Sequence, residues 1–166
     1  MSRTFAACIP VTDAVGMDWK EEFIPLLRSQ WERTTMICNA IAQEMFRGDI
    51  RIDQVIVDKK GNKKLPSYPE PEANWYMLVR EIAPEFETSS AAALANGVRK
   101  NYMDERFNVF VKNEGSFPQY RYPAPAVIRA QGLRLELIDG RVHISFNCGR
   151  NDTGKIRRVT LELSHK

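Results

Sequence analysis

The spacing of the hydrophobic residues changes near Gly115, and this change most strongly limits the folds open to the chain. Before Gly115, apolar residues recur every three or four positions, as they do along one face of a helix. After Gly115 they alternate with polar residues, which is typical of strands with one buried face. The 166 residues suffice for one domain, or for two small ones that share a core. We therefore predict an α+β fold.

A β-hairpin centred on Asp139-Gly140 is the clearest element of the second region. Asp-Gly is a preferred centre for the two-residue type I′ turn. Pairing across this turn puts six apolar residues on one face, as the pairs Leu133 with Phe146, Leu135 with Ile144 and Leu137 with Val142. The opposite face then carries Arg134, Glu136, Arg141, His143 and Ser145. A hairpin is marginally stable alone, so it must belong to a larger sheet.

Further strands are available for that sheet. Residues 4–11 form a short apolar stretch that is stopped by Pro10, and residues 127–129 form another. The last strand alternates through Val159, Leu161 and Leu163. Together with the hairpin these make five strands, which suffice for a small barrel of the oligonucleotide-binding type.

Three helices are predicted ahead of the sheet. They run from the N-cap Asp18 to Gly48, from about residue 72 to Ile82, and from Thr88-Ser89-Ser90 to about Val111. Glu21 stands three residues after Asp18, in a capping-box arrangement. Gly97 lies in the middle of the third helix, where it indicates the close approach of another helix or of a nucleic-acid backbone.

Residues 49–72 differ from their surroundings, because β-prone residues are followed there by a lysine run and several prolines. This pattern favours a small exposed hairpin or a mobile loop. The run contributes Lys59, Lys60, Lys63 and Lys64. We expect these lysines to be solvated rather than bound to phosphate.

The net charge of +3 hides an uneven distribution. Residues 1–96 carry 11 Lys and Arg against 14 Asp and Glu, whereas residues 97–166 carry 13 against 7. The C-terminal part is therefore basic.

Several classes of protein are disfavoured. No apolar run approaches the roughly 20 residues of a membrane helix, and the N-terminal apolar stretch is too short for a typical signal peptide. Cys8, Cys38 and Cys148 lie far apart and form no CxxC pair, so buried thiols in a reducing cytoplasm are expected rather than disulfides or a zinc site. His143 and His165 have no evident nucleophile or metal partner, and both are expected at the surface. We predict no catalytic residue, cofactor or metal.

The segment Phe117-Pro118-Gln119-Tyr120-Arg121-Tyr122-Pro123 is the most informative stretch. Tyrosine rings can stack on bases, and arginine can bind phosphate through two hydrogen bonds. The alternative is a loop whose aromatic residues pack on the edge of the sheet. The basic surroundings favour nucleic acid, with Arg99, Lys100, Arg106 and Lys112 before the segment and Arg129, Gln131 and Arg134 after it.

The order of these segments resembles the N-terminal half of TnpB-type transposon proteins and of type V CRISPR effector nucleases. The shared features are the first strand, a Trp-bearing helix, a Ser-capped helix that ends in Arg106-Phe107-Asn108-Val109-Phe110, the segment 117–121 and a hairpin with Gly-x-Leu-x-Leu. The resemblance covers nearly the whole chain. It implies a first wedge strand in residues 1–14, an inserted helical recognition lobe in residues 15–114, and the other strands of a small OB-like wedge barrel in residues 115–166.

The same resemblance implies binding of guide RNA and reading of a short DNA motif beside the target. In the family, part of the DNA contact comes from the start of the Ser-capped helix, which corresponds here to Ser89, Ser90 and Asn96. Ser89 and Ser90 could equally well serve only as helix caps. The candidate nucleic-acid-binding residues are Ser89, Ser90, Asn96, Arg99, Lys100, Arg106, Lys112, Tyr120, Arg121, Tyr122, Arg129 and Gln131.

Complete members of the family continue into a RuvC-type nuclease domain with three acidic metal ligands. This sequence ends about where that domain would begin, and Asp139, Asp152 and Glu162 do not form a matching site. We therefore expect no catalysis by this chain alone, with a nuclease lobe supplied by the same protein or by another chain. The expected partners are guide RNA and target DNA, in the cytoplasm of a prokaryotic or phage-infected cell.

Two other classes of function stay open. One is a phage- or mobile-element-encoded interaction module, which would bind a host protein through the acidic N-terminal part. The other is a small enzyme with a dispersed site, for which the sequence offers no constellation of residues.

Overall fold

Three α-helices and a four-stranded sheet make up most of the described part of the chain. The computed structural model describes residues 9–50, 55–68, 75–86, 88–125, 128, 132–151 and 153–164. The helices are α1 (Ile24–Ile50), α2 (Trp75–Ile82) and α3 (Thr88–Phe107), and short π-helices precede α1 (Trp19–Phe23) and follow α3 (Asn108–Lys112). The strands are β1 (Val11–Ala14), β2 (Ile56–Val57), β3 (Lys63–Lys64), β4 (Arg134–Ile138), β5 (Arg141–Arg150) and β6 (Ile156–Leu163). The predicted α+β class is confirmed.

The main sheet is antiparallel and has the order β1-β6-β5-β4. Val11 pairs with Leu163, and among the described residues the next strand of this sheet along the chain is β4. Within the described residues the sheet is open, with β1 and β4 at its two edges. These strands therefore do not close into the small OB-like barrel that was predicted. Of the strand predicted at residues 4–11, residues 4–8 lie outside the described residues. The strand predicted at residues 127–129 also lies outside them, apart from residue 128, which is not in a strand.

The central hairpin has the register that the sequence predicts. Leu135 pairs with Ile144, and Leu137 pairs with Val142. The backbone φ angles are 50° at Asp139 and 77° at Gly140, and positive values at both positions are what a type I′ turn requires. The predicted small hairpin between α1 and α2 is also present, because β2 pairs with β3 and both strands are exposed.

Helix α1 contributes to two separate cores. Its start and the preceding π-helix cover the apolar face of the sheet, in a cluster built on Ala14, Phe23, Val159 and Leu161. Its second half packs against α2 and α3, in a larger cluster that includes Ile37, Ile41, Met45, Val79, Leu94, Val98 and Tyr102. The 27 residues of α1 therefore connect the sheet to the helical layer.

The beginning of the helical region shows how local geometry modifies a sequence motif. The Asp18 carboxylate accepts hydrogen bonds from the backbone N–H groups of Lys20 (2.9 Å) and Glu21 (2.7 Å), as an N-cap does. The carboxylate that accepts from the Asp18 N–H group belongs to Glu22, at 2.8 Å, and not to Glu21 as predicted. The first turn is a π-turn, with the Phe23 N–H group bonded to the Asp18 carbonyl. This wider turn moves the reciprocal partner one residue along the chain.

Two predicted element ends are wrong, one at a proline and the other at a glycine. The first strand does not stop at Pro10, because β1 begins immediately after it. The Pro10 carbonyl still accepts a hydrogen bond from Ser164 N–H at 2.9 Å, which an edge position permits. Helix α1 also continues past Gly48 to Ile50. A Cβ at Gly48 would lie 2.6 Å from the Tyr68 hydroxyl, so glycine there allows Tyr68 to approach the helix.

Candidate nucleic-acid interface

Residues 117–124 follow α3 and are fixed along the surface of α1. The side chain of Asn39 forms two bonds to the backbone of Tyr120. Its Nδ2 donates to the carbonyl at 2.8 Å, and its Oδ1 accepts from the N–H group at 3.0 Å. About one turn earlier in α1, Thr35 Oγ1 accepts from the Ala124 N–H group at 3.2 Å. These bonds fix the backbone of residues 117–124, which we call the binding segment after the nucleic-acid contact that the sequence predicts for residues 117–123.

The beginning of the binding segment is anchored by an aromatic cluster. The ring of Phe117 stacks on Tyr102 of α3, with a centroid distance of 4.4 Å and an interplanar angle of 5°. Phe46 of α1 and Phe110 lie against the same ring, with centroids 5.5 and 5.2 Å away. Stacked and tilted aromatic pairs of this kind add to the free energy gained by burial alone. Phe117 therefore holds the segment between α1 and α3.

A buried ion pair lies beneath this cluster. Arg106 Nη2 is 2.6 Å from Asp49 Oδ1, and the two side chains are only 6% and 2% exposed. Arg106 also donates to the Pro66 carbonyl at 2.9 Å, and the Tyr102 hydroxyl donates to Asp49 at 2.8 Å. Burial, followed by the hydrogen bond to Asp49, raises the pKa of Tyr102 above its ordinary value. Arg106 was predicted to contact nucleic acid, but its guanidinium is enclosed within the protein.

Fewer residues of the binding segment are exposed than the sequence motif suggests. The Tyr120 ring is partly buried against the helical core, and its hydroxyl lies 3.3 Å from the donating Nδ2 of Asn101. Burial raises the pKa of Tyr120. Arg121 is exposed and Tyr122 is 55% exposed. Arg121 and Tyr122 are therefore two consecutive exposed side chains, whereas Tyr120 serves mainly to position the segment.

Two clefts flank the binding segment, and Arg121 lines both. The cleft towards α3 has a volume of about 620 Å³ and includes two carboxylates, those of Asp104 and Glu105. The cleft towards α1 has a volume of about 470 Å³ and is lined by Asn39, Ala42, Gln43, Phe46, Phe117, Pro118, Gln119, Tyr120 and Arg121. This second cleft has amide and aromatic groups, one arginine and no carboxylate in its lining. It is therefore the more favourable of the two for a nucleotide.

The other predicted contact residues do not form one surface. On α3, Asn96 and Lys100 are exposed, whereas Ser90 is buried in the first turn and is not accessible to DNA. Ser89 lies in the same turn. The Arg99 guanidinium stacks over Trp75, 5.5 Å from the ring centroid, and Lys112 lies 5.9 Å from the Phe107 ring centroid. Arg129 and Gln131 lie outside the described residues.

The sequence suggested that another helix packs closely against Gly97, and the structure does not show this. A Cβ at this position would meet no atom within 4 Å. No other helix of the described chain therefore packs against it. Gly97 and its neighbours Asn96 and Lys100 lie on an open face of α3.

The polar face of the sheet is largely paired internally. Glu162 accepts from Arg141 at 2.9 and 3.0 Å and from Thr12 at 3.1 Å, and the bond from Arg141 is the main reason that the pKa of Glu162 is lowered. His143 Nε2 lies 3.8 Å from Glu162. His143 was predicted at the surface, but it is only 7% exposed, because neighbouring strands surround it.

The described residues contain no group of three His, Cys, Asp or Glu side chains placed to hold a metal ion.

Two cysteines are covered by the structural description, and both are free thiols. Burial raises the pKa of Cys38 and of Cys148 to about 11. These thiols are therefore poor nucleophiles at neutral pH.

The sequence motif did not reveal the residues that hold the binding segment. Asn39 and Thr35 lie in α1, about 80 residues or more before the backbone groups that they bind. The one sequence feature that could have indicated these residues is that they are small polar side chains beside the apolar stripe of α1. Gln43 lies one turn beyond Asn39 and reaches the same cleft.

Comparison with other proteins adds no family assignment. No protein-family model matches the chain, and no curated protein sequence matches it. None of the helices in the described ranges has the length and apolar character needed to cross a membrane.

Proposed function

We propose that this protein is the nucleic-acid-binding part of an RNA-guided DNA-targeting protein of the TnpB and type V CRISPR class. The binding segment is its contact with guide RNA. The observation that carries this proposal is the exposure of two consecutive residues, Arg121 and Tyr122, on a backbone held by Asn39 and Thr35. A side chain on a fixed backbone loses less conformational freedom when it binds a ligand.

The chemistry of the α1-side cleft suits a single-stranded nucleotide. Arg121 lines this cleft, and its guanidinium can bind a phosphate in a bidentate manner. Tyr122, the next residue along the chain, is exposed, and its ring can stack on a base. Gln43 and Gln119 supply amide donors and acceptors at the cleft, and such groups can pair with the exposed edges of an unstacked base. The carboxylates of the α3-side cleft disfavour phosphate, so the RNA backbone follows the side of α1.

The DNA contact belongs to the open face of α3. Asn96 and Lys100 are exposed there, and Gly97 leaves room for the close approach of a backbone. A lysine and an amide on one helix face can bind phosphate and base edges respectively. The motif beside the target is therefore read near Asn96, rather than by Ser90.

The OB-like wedge and the helical recognition lobe are part of the same proposal. The pairing of β1 with β6 supports it, because the helices then interrupt a single sheet. The chain performs the binding role, and a RuvC-type nuclease lobe in the same protein or in another chain performs cleavage. The complex acts in the cytoplasm of a prokaryotic or phage-infected cell, in defence or in transposition.

Substitutions at the two exposed residues test the RNA contact. We expect Tyr122→Ala to weaken binding of single-stranded RNA by about fivefold to a hundredfold, the range for loss of one base stack. Arg121→Ala should weaken it further and should reduce its salt dependence. Fluorescence anisotropy with a labelled oligonucleotide measures both effects. Lys20→Ala is the control, because Lys20 is exposed on the π-helix beside Glu21 and Glu22 and away from the clefts.

Two results would distinguish an error in the proposed site from an error in the proposed function. Unchanged affinity in a folded Arg121→Ala, Tyr122→Ala double variant would show that RNA binds elsewhere on the protein. No RNA binding by the folded parent chain, even at low salt, would contradict the function itself. The alternative would then be a protein-interaction module without a nucleic-acid role.

A further inference from the structure

Strand β4 exposes an apolar face at the edge of the sheet. Leu135 is 69% exposed, and Leu137 is 72% exposed. These residues continue the apolar face of β5, where Ile144 and Phe146 pack against the core cluster of the sheet. Large apolar side chains on an edge strand are unusual, because they invite pairing with another strand.

The outer edge of β4 is suited to strand pairing. Among the described residues, β4 pairs only with β5. Its pairing with β5 runs from Arg134 to Ile138 without a bulge. It also contains neither proline nor lysine, the residues that commonly protect an edge. Every second N–H and C=O group of β4 therefore points outward in a regular row.

We propose that β4 pairs in antiparallel fashion with β4 of a second copy of this chain. A two-fold axis passes beside Leu135 and joins the two sheets into one. In this register Leu135 lies opposite Leu135 of the partner subunit, and Arg134 lies opposite Glu136 of the partner subunit. The symmetry repeats that ion pair, so the contact contains two.

The charge pattern of β4 selects this register. A centre at Glu136 places two carboxylates opposite each other, and a centre at Arg134 places two guanidinium groups opposite each other. A centre at Leu137 places Glu136 opposite Ile138. A shift by one residue pairs the apolar face with the polar face. The centre at Leu135 alone pairs leucine with leucine and opposite charges with each other.

This contact does not depend on the proposed nucleic-acid function. It uses the edge of β4 that no other described strand covers, whereas the binding segment contacts α1 and α3. The charges of the strand favour a second copy as the partner. When two copies of β4 pair about a two-fold axis at Leu135, Arg134 of each copy faces Glu136 of the other.

Charge reversal in β4 tests the pairing. We expect sedimentation equilibrium of the parent chain to show a monomer–dimer equilibrium. Arg134→Glu and Glu136→Arg each place like charges opposite each other twice, and each should weaken the dimer by about tenfold or more. An equimolar mixture of the two variants should recover a dimer, because the two glutamates of one chain then face the two arginines of the other. The double variant R134E/E136R should also dimerise as well as the parent.

The control is Lys155→Glu, an exposed charge in the β5–β6 turn, which should leave the equilibrium unchanged. Arg134 and Glu136 are themselves exposed, so the variants should fold, and the double variant provides a second test if a single one does not. A parent chain that stays monomeric at concentrations of about 1 mM, far above a typical dimer Kd, would overturn the proposal. So would a dimer that both single variants leave intact, or a mixture that fails to recover it.

Discussion

Arg106 lies below the candidate interface, with its guanidinium within 3 Å of both oxygens of Asp49. The sequence placed this arginine on a basic helix and so predicted a contact with nucleic acid. Its burial was not predictable, because Asp49 lies 57 residues earlier and no local pattern connects the two. A buried charge needs a partner, and Asp49, Pro66 and Tyr68 together surround this one.

Removal of one member of this pair should destabilise the fold strongly. We expect Arg106→Ala to lower the free energy of unfolding by about 3–5 kcal/mol, because it leaves a buried carboxylate without its partner. Chemical denaturation monitored by circular dichroism measures this loss. Lys112→Ala, at an exposed cation in the following π-helix, should change the free energy by only about 0.5 kcal/mol. Equal effects of the two variants would contradict the structural role of Arg106.

At the scale of elements, the predictable parts are those specified by local sequence. The β4–β5 register follows from one Asp-Gly turn and the alternation beside it, and the observed pairs Leu135–Ile144 and Leu137–Val142 agree with it. The capping partner of Asp18 was missed by one residue, because the π-turn depends on how Phe23 packs against the sheet. The sequence predicts which segment carries Arg121, but not that α1 holds it.

The binding segment should lose its order when Asn39 is changed. Asn39→Ala removes both bonds to Tyr120, so the Tyr120 amide should exchange with solvent hydrogen at least about tenfold faster, the equivalent of roughly 1–2 kcal/mol of lost protection. RNA affinity should fall as well, although Asn39 itself need not touch RNA. Hydrogen exchange by NMR follows the amide directly. Glu32→Ala, at an exposed position of the same helix, is the matched control.

Faster exchange with unchanged RNA affinity would show that the order of the segment does not matter for binding. If the Tyr120 amide exchanged at an unchanged rate, the result would contradict the proposal that Asn39 holds the segment in place. In that case Phe117 alone would anchor the segment, through its stack on Tyr102.

For the whole molecule, the sheet and the helical layer are connected by one long helix. Of the elements that the structure describes, β1 pairs with β6, and the helices α1, α2 and α3 lie between β1 and β4 in sequence. The α+β class was predictable from the change of hydrophobic period. The open sheet was not, because strand count alone does not determine whether the edges of a sheet meet. The exposed apolar edge at β4 is a consequence of this openness.

The salt dependence of RNA binding tests the central claim most directly. The chain should bind a single-stranded RNA oligonucleotide in fluorescence anisotropy, with an affinity that falls steeply as salt is raised. Each neutralised phosphate contributes about −0.7 to the slope of log affinity against log salt. Contact of RNA with Arg121 and with two further exposed cations of the chain neutralises three phosphates, which gives a slope of about −2. Absence of binding at low salt, or binding that does not change with salt, would contradict the account.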